Sequence, residues 1–371
     1  MYSLIITLIV LFFAFLNSRN RFVSLLMGIF LFVLYSFEYT KNGYGDYHVY
    51  EGIYKGISKG ELWALLDYEP IFVFTLKLFA KIGLSFVEIK ILLGFFYVFV
   101  IYKTISLYTK NVALPLALFF IFPAIFDAEL IRFSLAFSFV IFGMKFIIRG
   151  KKWKDYICFG LCVVIGTCCH VSIIFYFIFF LLLIKNKKIF YGIVFFLIIF
   201  GFGLSMTNVY SILNSLPFGD HIRSKYQTDY QSTTLGMLVF IFTNLSIILI
   251  AAITKFSIRH SKIKFSNWAG YLNDKIIDIN VISLLLVIIS LFTTQVQRLT
   301  HLMLLYNYIY LASVMDYRKN LKLAKFYALC CSLFLLYRMC FHGSQGTMPV
   351  FISHFTIGYF TQYSVNSYVI D

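Results

Sequence analysis

The sequence predicts an all-α polytopic membrane protein that forms a single domain and has about 12 transmembrane helices. Hydrophobic residues make up 61% of the 371 residues and charged residues only 13%, whereas about 25% of the residues in a typical soluble domain are charged. Apolar runs such as "FFLIIFGFGL" and "LLLVIISLF" can cross a hydrocarbon core of roughly 30 Å when flanking residues extend them. Because that core offers backbone groups no water, these runs are expected to be helices rather than open strands.

The positions of the crossings follow from the clusters of basic residues. Lys and Arg gather in short segments, as cytoplasmic loops do under the positive-inside rule. The first apolar run has no basic region before it and no small-residue cleavage site after it, so we expect an uncleaved helix. Because successive connecting segments must lie on alternate sides of the membrane, both ends of residues 1–371 are expected on the outer side. The predicted crossings are residues 2–16, 22–37, 86–102, 111–127, 131–148, 156–169, 171–184, 189–206, 235–254, 281–296, 299–316 and 324–341.

Residues 38–85 form the first predicted outer loop, which is expected in the periplasm. It begins with a glycine-rich stretch, and an amphipathic surface helix is expected near residues 60–68. The apolar segment at 70–84 carries Lys77 and Lys81. A full crossing there would put the acidic part of the loop on the wrong side, so the segment is predicted to be re-entrant or to lie in the interface.

Two further connecting segments are predicted, at residues 207–234 and 255–280. The first is the second outer loop, and the second is a basic cytoplasmic loop. The stretch 156–184 is too long for one helix and barely long enough for two. The sequence therefore predicts a short helix pair that turns near His170.

The formal charge of +16 is explained by topology and by contact with anionic membrane lipid, so no nucleic-acid partner is expected. The seven cysteines lie in or beside apolar runs and lack paired C-x-x-C spacing. They are expected to be packing residues rather than disulfides or metal ligands. The phosphate-binding and zinc-binding sequence patterns are absent from the chain, so neither a cofactor nor a metal is predicted.

A small set of ionisable residues is not explained by topology. An ionisable side chain inside a membrane segment costs roughly 2.5 to 3.5 kcal/mol on insertion scales, so it is a functional candidate. On the predicted topology these residues converge at or near the outer interface, against the charge rule that places the other basic residues. They are Asp46, Glu69, Arg132, His170 and Arg298.

Other interpretations of these residues remain open. Arg132 could reach outer headgroups or pair with Asp127 or Glu129 nearby in the sequence. His170 could be a hydrogen-bonded core histidine, and the two acids could be solvated loop residues. The tyrosines of the first outer loop could form an interfacial belt or a sugar-stacking platform; they are Tyr44, Tyr47, Tyr50 and Tyr54.

Several motifs together resemble a known family. "GDYHVYEGIY" is followed by "YEPIFVFTLKLF", by "IRFSLAFSFVIF" before a basic turn, by a His-Val-Ser step and by "QRLTHLMLLYNYIY". Each motif alone is weak, and the specificity comes from their order over roughly residues 40–310. In this order they resemble the EpsG family of bacterial envelope polysaccharide polymerases, the group that includes Wzy-type O-antigen polymerases.

The resemblance implies a glycosyltransferase of GT-C-like architecture in the bacterial inner membrane. It would join oligosaccharide repeat units linked to undecaprenyl diphosphate at the outer face, without a cofactor and with a possible chain-length regulator as partner. By this resemblance, Arg132 and Arg298 would hold and stabilise the leaving diphosphate. One of His170, Asp46 and Glu69 would remove the proton from the acceptor hydroxyl. The further substrate contacts are assigned to Tyr47, Tyr50 and His301.

Two other functions compete with polymerisation. A flippase for the same lipid-linked unit would also use many helices and membrane arginines, but it usually shows two related halves, and no internal repeat is found in this sequence. An O-antigen ligase shares the lipid donor and typically has a larger outer loop late in the chain than residues 207–234 provide.

Overall fold

The computed structural model describes residues 2–37, 46–61, 68–124, 127–128, 130–206, 267–289 and 298–317, with a few single positions between 245 and 256 and between 326 and 333. Within these residues every regular element is a helix, which confirms the predicted all-α class. The α-helices are α1 Tyr2–Leu16, α2 Arg21–Phe37, α3 Asp46–Lys59, α4 Pro70–Ile82, α5 Phe86–Tyr108, α6 Ala113–Phe119, α7 Ile131–Arg149, α8 Trp153–Thr167, α9 Lys187–Met206, α10 Asn267–Ile289 and α11 His301–Tyr317.

Two segments depart from α geometry. The helix α6 continues as a π-helical segment, Phe120–Ala124, which contains Pro123. Residues Val171–Leu183 form a 3₁₀ helix that packs against α8 and α10. Two of the described helices, α5 and α7, are long and apolar enough to cross a bilayer; shorter apolar helices lie at Arg21–Phe37, Ala113–Ala124 and Val171–Leu183.

The 3₁₀ helix explains how residues 156–184 form two helices. As predicted, the chain turns near His170: α8 ends at Thr167 and the 3₁₀ helix begins at Val171. A 3₁₀ helix rises about 2.0 Å per residue, so its 13 residues extend about 26 Å. The same number of residues would extend only about 20 Å as an α-helix. The stretched geometry therefore lets a short segment reach almost across a hydrocarbon core.

Local sequence signals set the ends of α5 and α7. Ser85 and Glu88 form a capping box at the start of α5, in which Ser85 N donates to Glu88 Oε2 at 2.7 Å. The helix α7 ends at Gly150, which has a left-handed φ of 45° that glycine adopts without strain. In the following turn the Asp155 carboxylate accepts hydrogen bonds from Arg149 and from the backbone of Lys151. The turn between α7 and α8 is thereby fixed.

The bundle has a basic end. Asp316, at the end of α11, accepts from Thr109 Oγ1 at 2.7 Å and from Lys110 N at 2.8 Å, and it lies 3.4 Å from Arg19. Two inter-helix turns therefore meet the end of α11 there. The Arg149 guanidinium lies 5.8 Å from the Trp268 ring at the start of α10, and that ring lies 6.1 Å from the Tyr108 ring beside Thr109. The turn between α7 and α8 therefore lies at the same end.

The structure differs from prediction in the first outer segment. The helix α3 occupies residues where a glycine-rich start was expected, because Tyr47, Tyr50, Ile53 and Ile57 form one buried face at helical spacing. Burial of this face outweighs the low helix propensity of glycine. Residues 62–67 of the expected surface helix lie outside the described residues.

The segment predicted as re-entrant or interfacial contains the helix α4. Its start contacts the turn after α8, where Ile71 N donates to Cys168 O at 3.0 Å. Its end lies beside α3, where the Tyr54 hydroxyl donates to Leu84 O. With 13 residues it extends about 20 Å, less than a hydrocarbon core.

Later in the chain, α10 begins at Asn267, inside the segment predicted as a basic loop at 255–280, and ends at Ile289. Its crossing was predicted at 281–296. The early start places Trp268 and Tyr271 against the basic turn after α7. The predicted loop 207–234 and nearly all of the crossings 235–254 and 324–341 lie outside the described residues.

Candidate functional site

The site is built around an ion pair between Arg132 and Glu69. Arg132 is in the first turn of α7, and its Nη1 donates to Glu69 Oε2 at 2.6 Å. Only 12% of the Arg132 side chain and 11% of the Glu69 side chain are exposed. Pro70 follows Glu69, which is extended at φ −63° and ψ 140°. The other oxygen, Glu69 Oε1, accepts from Val171 N at 3.0 Å, so one carboxylate joins the starts of α4, α7 and the 3₁₀ helix.

Two tyrosine rings complete the surroundings of the Arg132 guanidinium. Its carbon lies 5.7 Å from the Tyr50 ring centroid and 5.3 Å from that of Tyr68, within the range of cation–π attraction. Arg132 Nε is buried and has no hydrogen-bond partner among the described residues. A carboxylate and two aromatic faces therefore hold a mostly buried cation that retains an unused donor.

Asp46 and Arg298 lie at the same end of the bundle. Asp46 is the first residue of α3, and Arg298 opens a short turn at residues 298–300 that leads into α11. Asp46 experiences the charges of both Arg132 and Arg298. Burial raises the pKa of the Asp46 carboxyl above its usual value, and the two arginines oppose that rise. The two guanidinium groups therefore lie close enough to Asp46 for their charges to affect its carboxylate.

His170 lies at the turn between α8 and the 3₁₀ helix. Its Nδ1 accepts a hydrogen bond from Ser172 N at 3.3 Å and lies 2.8 Å from Ser172 Oγ. Because Nδ1 accepts from the backbone, the proton of the neutral ring is on Nε2. The ring stands edge-on to Phe133 at 5.7 Å. His170 therefore caps the 3₁₀ helix, and its lone-pair nitrogen is already engaged.

The three predicted substrate contacts, Tyr47, Tyr50 and His301, are buried. Tyr47 and Tyr50 are 7% and 6% exposed, and their rings pack edge-on to Phe86 and Phe72 respectively. Burial raises the pKa of Tyr50 to about 12. His301 Nδ1 lies 2.8 Å from Asp127 Oδ2, and the two side chains are 6% and 1% exposed. His301 is thus paired with Asp127, and its contact with substrate stays a prediction.

Sequence reasoning missed two residues at this end and left the partner of a third open. Tyr68 borders the Arg132 guanidinium, and its position beside the Glu69-Pro70 step was the available signal. Lys90 is 2% exposed, with Nζ 5.3 Å from the Tyr47 ring centroid, and a lysine within an apolar run could have indicated it. Asp127 was considered as a partner of Arg132. The structure pairs it with His301 instead, and Glu129 lies outside the described residues.

The arrangement combines cations with a desolvated carboxylate. Buried guanidinium groups bind phosphate oxygens strongly because a poorly hydrated site screens their charge little. The carboxylate of Asp46, with its raised pKa, is a better proton acceptor than a fully solvated one. No group of three or more potential ligands that could hold a metal ion is found among the described residues. The site therefore offers anion binding and proton transfer.

Comparison with known proteins gives one match. The sequence model of the EpsG family matches residues 21–352, which include every residue of the site described above. The search of curated proteins and the search of solved structures give no match.

Proposed function

Because the chain belongs to the EpsG family, a membrane-associated, Wzy-like polymerase family, we propose that it is a multi-pass inner-membrane polysaccharide polymerase. It joins oligosaccharide repeat units carried on undecaprenyl diphosphate. The reaction takes place at the outer face, where the repeat units are available after translocation. The observation that carries the proposal is the buried Arg132, at the same end of the bundle as Arg298 and Asp46.

The two arginines stabilise the leaving group. When the bond between the sugar and the diphosphate breaks, negative charge develops on the phosphate oxygen, and preorganised cations lower the energy of that state. Arg132 is already held by Glu69 and two tyrosine rings. The enzyme therefore does not have to reorganise this cation as the bond breaks.

Asp46 is the preferred proton acceptor among the three candidates. Both oxygens of Glu69 are engaged, one by Arg132 and one by Val171 N. The Nδ1 of His170 is engaged by Ser172. Asp46 combines a raised pKa with proximity to both arginines, which suits a general base.

The chemical step is a glycosyl transfer. The acceptor hydroxyl oxygen attacks the anomeric carbon of the donor chain, and a new carbon–oxygen bond forms. The bond to the diphosphate breaks, and its electron pair leaves with undecaprenyl diphosphate. The hydroxyl proton passes to Asp46. A diphosphate is a good leaving group, so no strong general acid is required.

Reconstitution of the full-length protein in proteoliposomes with one lipid-linked repeat unit tests the proposal. We expect a ladder of oligomers on the lipid carrier. A flippase would move the intact unit across the bilayer without making longer products. A ligase would produce no ladder and would transfer glycan only when lipid A core is supplied. Either result would overturn the proposal.

A further inference from the structure

We infer that Asp127 and His301 form a positioning pair that sets the spacing between Arg132 and Arg298. The inference rests on the proposed function, in which both arginines bind one diphosphate. Neither partner touches the substrate. The pair acts by joining the two segments that carry the cations.

The pair is buried. Asp127 is 1% exposed, His301 is 5% exposed, and Asp127 Oδ2 and His301 Nδ1 lie 2.8 Å apart. The Phe122 ring stands edge-on to His301 at 5.5 Å. The phenols of Tyr35, Tyr97 and Tyr176 are close enough to experience the Asp127 charge. Both side chains are therefore buried among aromatic residues, which suits a positioning role rather than a substrate contact.

The pair connects the two arginines along short stretches of chain. His301 is the first residue of α11, and Arg298 precedes it by one helical turn. Asp127 precedes α7, and Leu130 N donates to its carbonyl at 3.0 Å, which ties it to the start of the helix that carries Arg132. A hydrogen bond between residues 174 apart in sequence therefore fixes one arginine relative to the other.

A second bond holds the same turn. The Tyr176 hydroxyl donates to Leu299 O at 2.8 Å, and Thr300 is completely buried. The turn at 298–300 is thus tied to the 3₁₀ helix on one side and to Asp127 on the other. Removal of the His301 imidazole breaks only the bond to Asp127 and leaves the Tyr176 bond in place. We therefore expect the helices to stay packed while Arg298 shifts. A misplacement of about 1 Å at a catalytic group can lower the rate about 100-fold.

A buried asparagine pair between α10 and α11 gives a matched control. Asn307 and Asn280 donate to each other at 2.8 and 2.7 Å. Asn307 lies on α11 with His301, about 9 Å further along the axis at 1.5 Å per residue. It is as buried as His301, and its side-chain amide pairs with Asn280 on α10. Asn307→Ala should therefore destabilise the bundle without changing the turnover of each folded molecule.

The kinetic test measures chain extension by the full-length protein in proteoliposomes, corrected for folded protein. We expect His301→Ala and Asp127→Ala each to lower kcat about 100-fold. Asp127→Asn keeps an acceptor oxygen and should restore most of that loss. Adding His301→Ala to Arg298→Ala should cause no further loss, because the pair acts through Arg298. The inference would be overturned if His301→Ala lowered kcat by a further factor of about 100 in the Arg298→Ala background. It would also be overturned if Asn307→Ala lowered kcat as much as His301→Ala.

A binding test separates this inference from the proposed function. Inorganic diphosphate should raise the melting temperature of the detergent-solubilised wild-type protein and of Asn307→Ala, but not that of His301→Ala. This pattern supports the positioning pair even if the wild-type protein makes no oligomers, in which case only the proposed polymerase activity fails. If diphosphate does not stabilise the wild-type protein, the inference is wrong, whatever the ladder shows.

Discussion

The environment of Arg132 determines what can replace it. A guanidinium buried beside a carboxylate and two aromatic rings uses the planar shape of arginine, because a flat group can stack on rings and present parallel donors at the same time. Removing one partner of a buried ion pair typically costs about 3 to 5 kcal/mol, because the remaining charge is left uncompensated. Conservative substitutions at this position therefore separate charge from shape.

We expect Arg132→Lys to remain in the membrane and to lower kcat/KM by about 100-fold or more. The lysine keeps the positive charge, but it cannot bind two phosphate oxygens in a fixed fork. Arg149→Lys is the matched control, because Arg149 is at the opposite end of the same helix and pairs with Asp155. Polymer length on gels after expression in a polymerase-deficient strain measures the effect. Long polymer made by Arg132→Lys would remove this residue from the site.

We expect activity to fall as the pH is lowered through the raised pKa of Asp46, because the base must be ionised to accept a proton. Arg298 lowers the Asp46 pKa, so Arg298→Gln should move this acidic limb to higher pH as well as reduce the rate. A pH profile of kcat/KM measures both changes. An acidic limb that stays in place in Arg298→Gln would argue against Asp46 as the base.

Asp46→Asn should abolish most chain extension, whereas His170→Ala should reduce it less, because the Nδ1 of His170 is already engaged by Ser172. Glu51→Gln is the control. Glu51 is on the same helix as Asp46, and it pairs with Lys55 at 3.2 Å near the surface. Initial rates with one lipid-linked unit give the comparison. If His170→Ala were the more damaging of the two substitutions, His170 would replace Asp46 as the base.

At the scale of elements, close packing of α7, α8 and the 3₁₀ helix holds His170 and Arg132 in place. A Cβ at Gly166 would lie 3.0 Å from Ala136 O and 2.9 Å from the Ile173 side chain. No side chain larger than hydrogen fits there without a shift of the helices. The same glycine carbonyl accepts from His170 N at 2.9 Å, so such a shift would reach the turn at His170.

We expect Gly166→Ala to destabilise the protein by about 1 to 3 kcal/mol, the usual cost of overpacking. Gly192→Ala is the matched control, because a Cβ there meets nothing within 4 Å, and it should leave the stability unchanged or slightly raised. Melting temperatures in detergent report the difference. Equal melting temperatures for the two variants would show that the helices around Gly166 can move apart without loss of stability.

At the scale of the whole molecule, the charged groups divide between the two ends of the bundle. Arg19 and Lys110 gather at Asp316, which joins two inter-helix turns to the end of α11, and Arg149 lies at the same end. Glu69 and Arg132 meet at the other end, at the start of α7 and beside the end of α8. The basic end matches the predicted cytoplasmic side, since short basic loops are retained there. The proposed reaction then faces outward.

Cysteine labelling tests this orientation. In a cysteine-free background, Lys59→Cys on α3 should react with a membrane-impermeant maleimide added to intact spheroplasts. Lys154→Cys should react only after the membrane is opened. Both lysines are exposed, so differences in reactivity reflect the side of the membrane. The opposite pattern would place the arginines toward the cytoplasm and contradict the proposed outward reaction.

The amount of the fold that the sequence could predict depends on how local the signal is. The bounds of α1, α2 and α7 agree closely with the predicted crossings, because hydropathy and flanking charge act over a single helix. The start of α10 was missed, since polar residues in its first turns resemble a loop. The 3₁₀ geometry of residues 171–183 was also missed, because it depends on packing against neighbouring helices rather than on composition.

The sequence by itself determined the helical class, the order of the apolar segments and the family match across residues 21–352. Only the tertiary structure decided the partners of the buried charges. It paired Arg132 with Glu69, 63 residues away, and His301 with Asp127, 174 residues away. The physical reason is distance along the chain: periodicity and charge report on neighbours within a few residues, whereas a buried ion pair is chosen by which helix ends pack together.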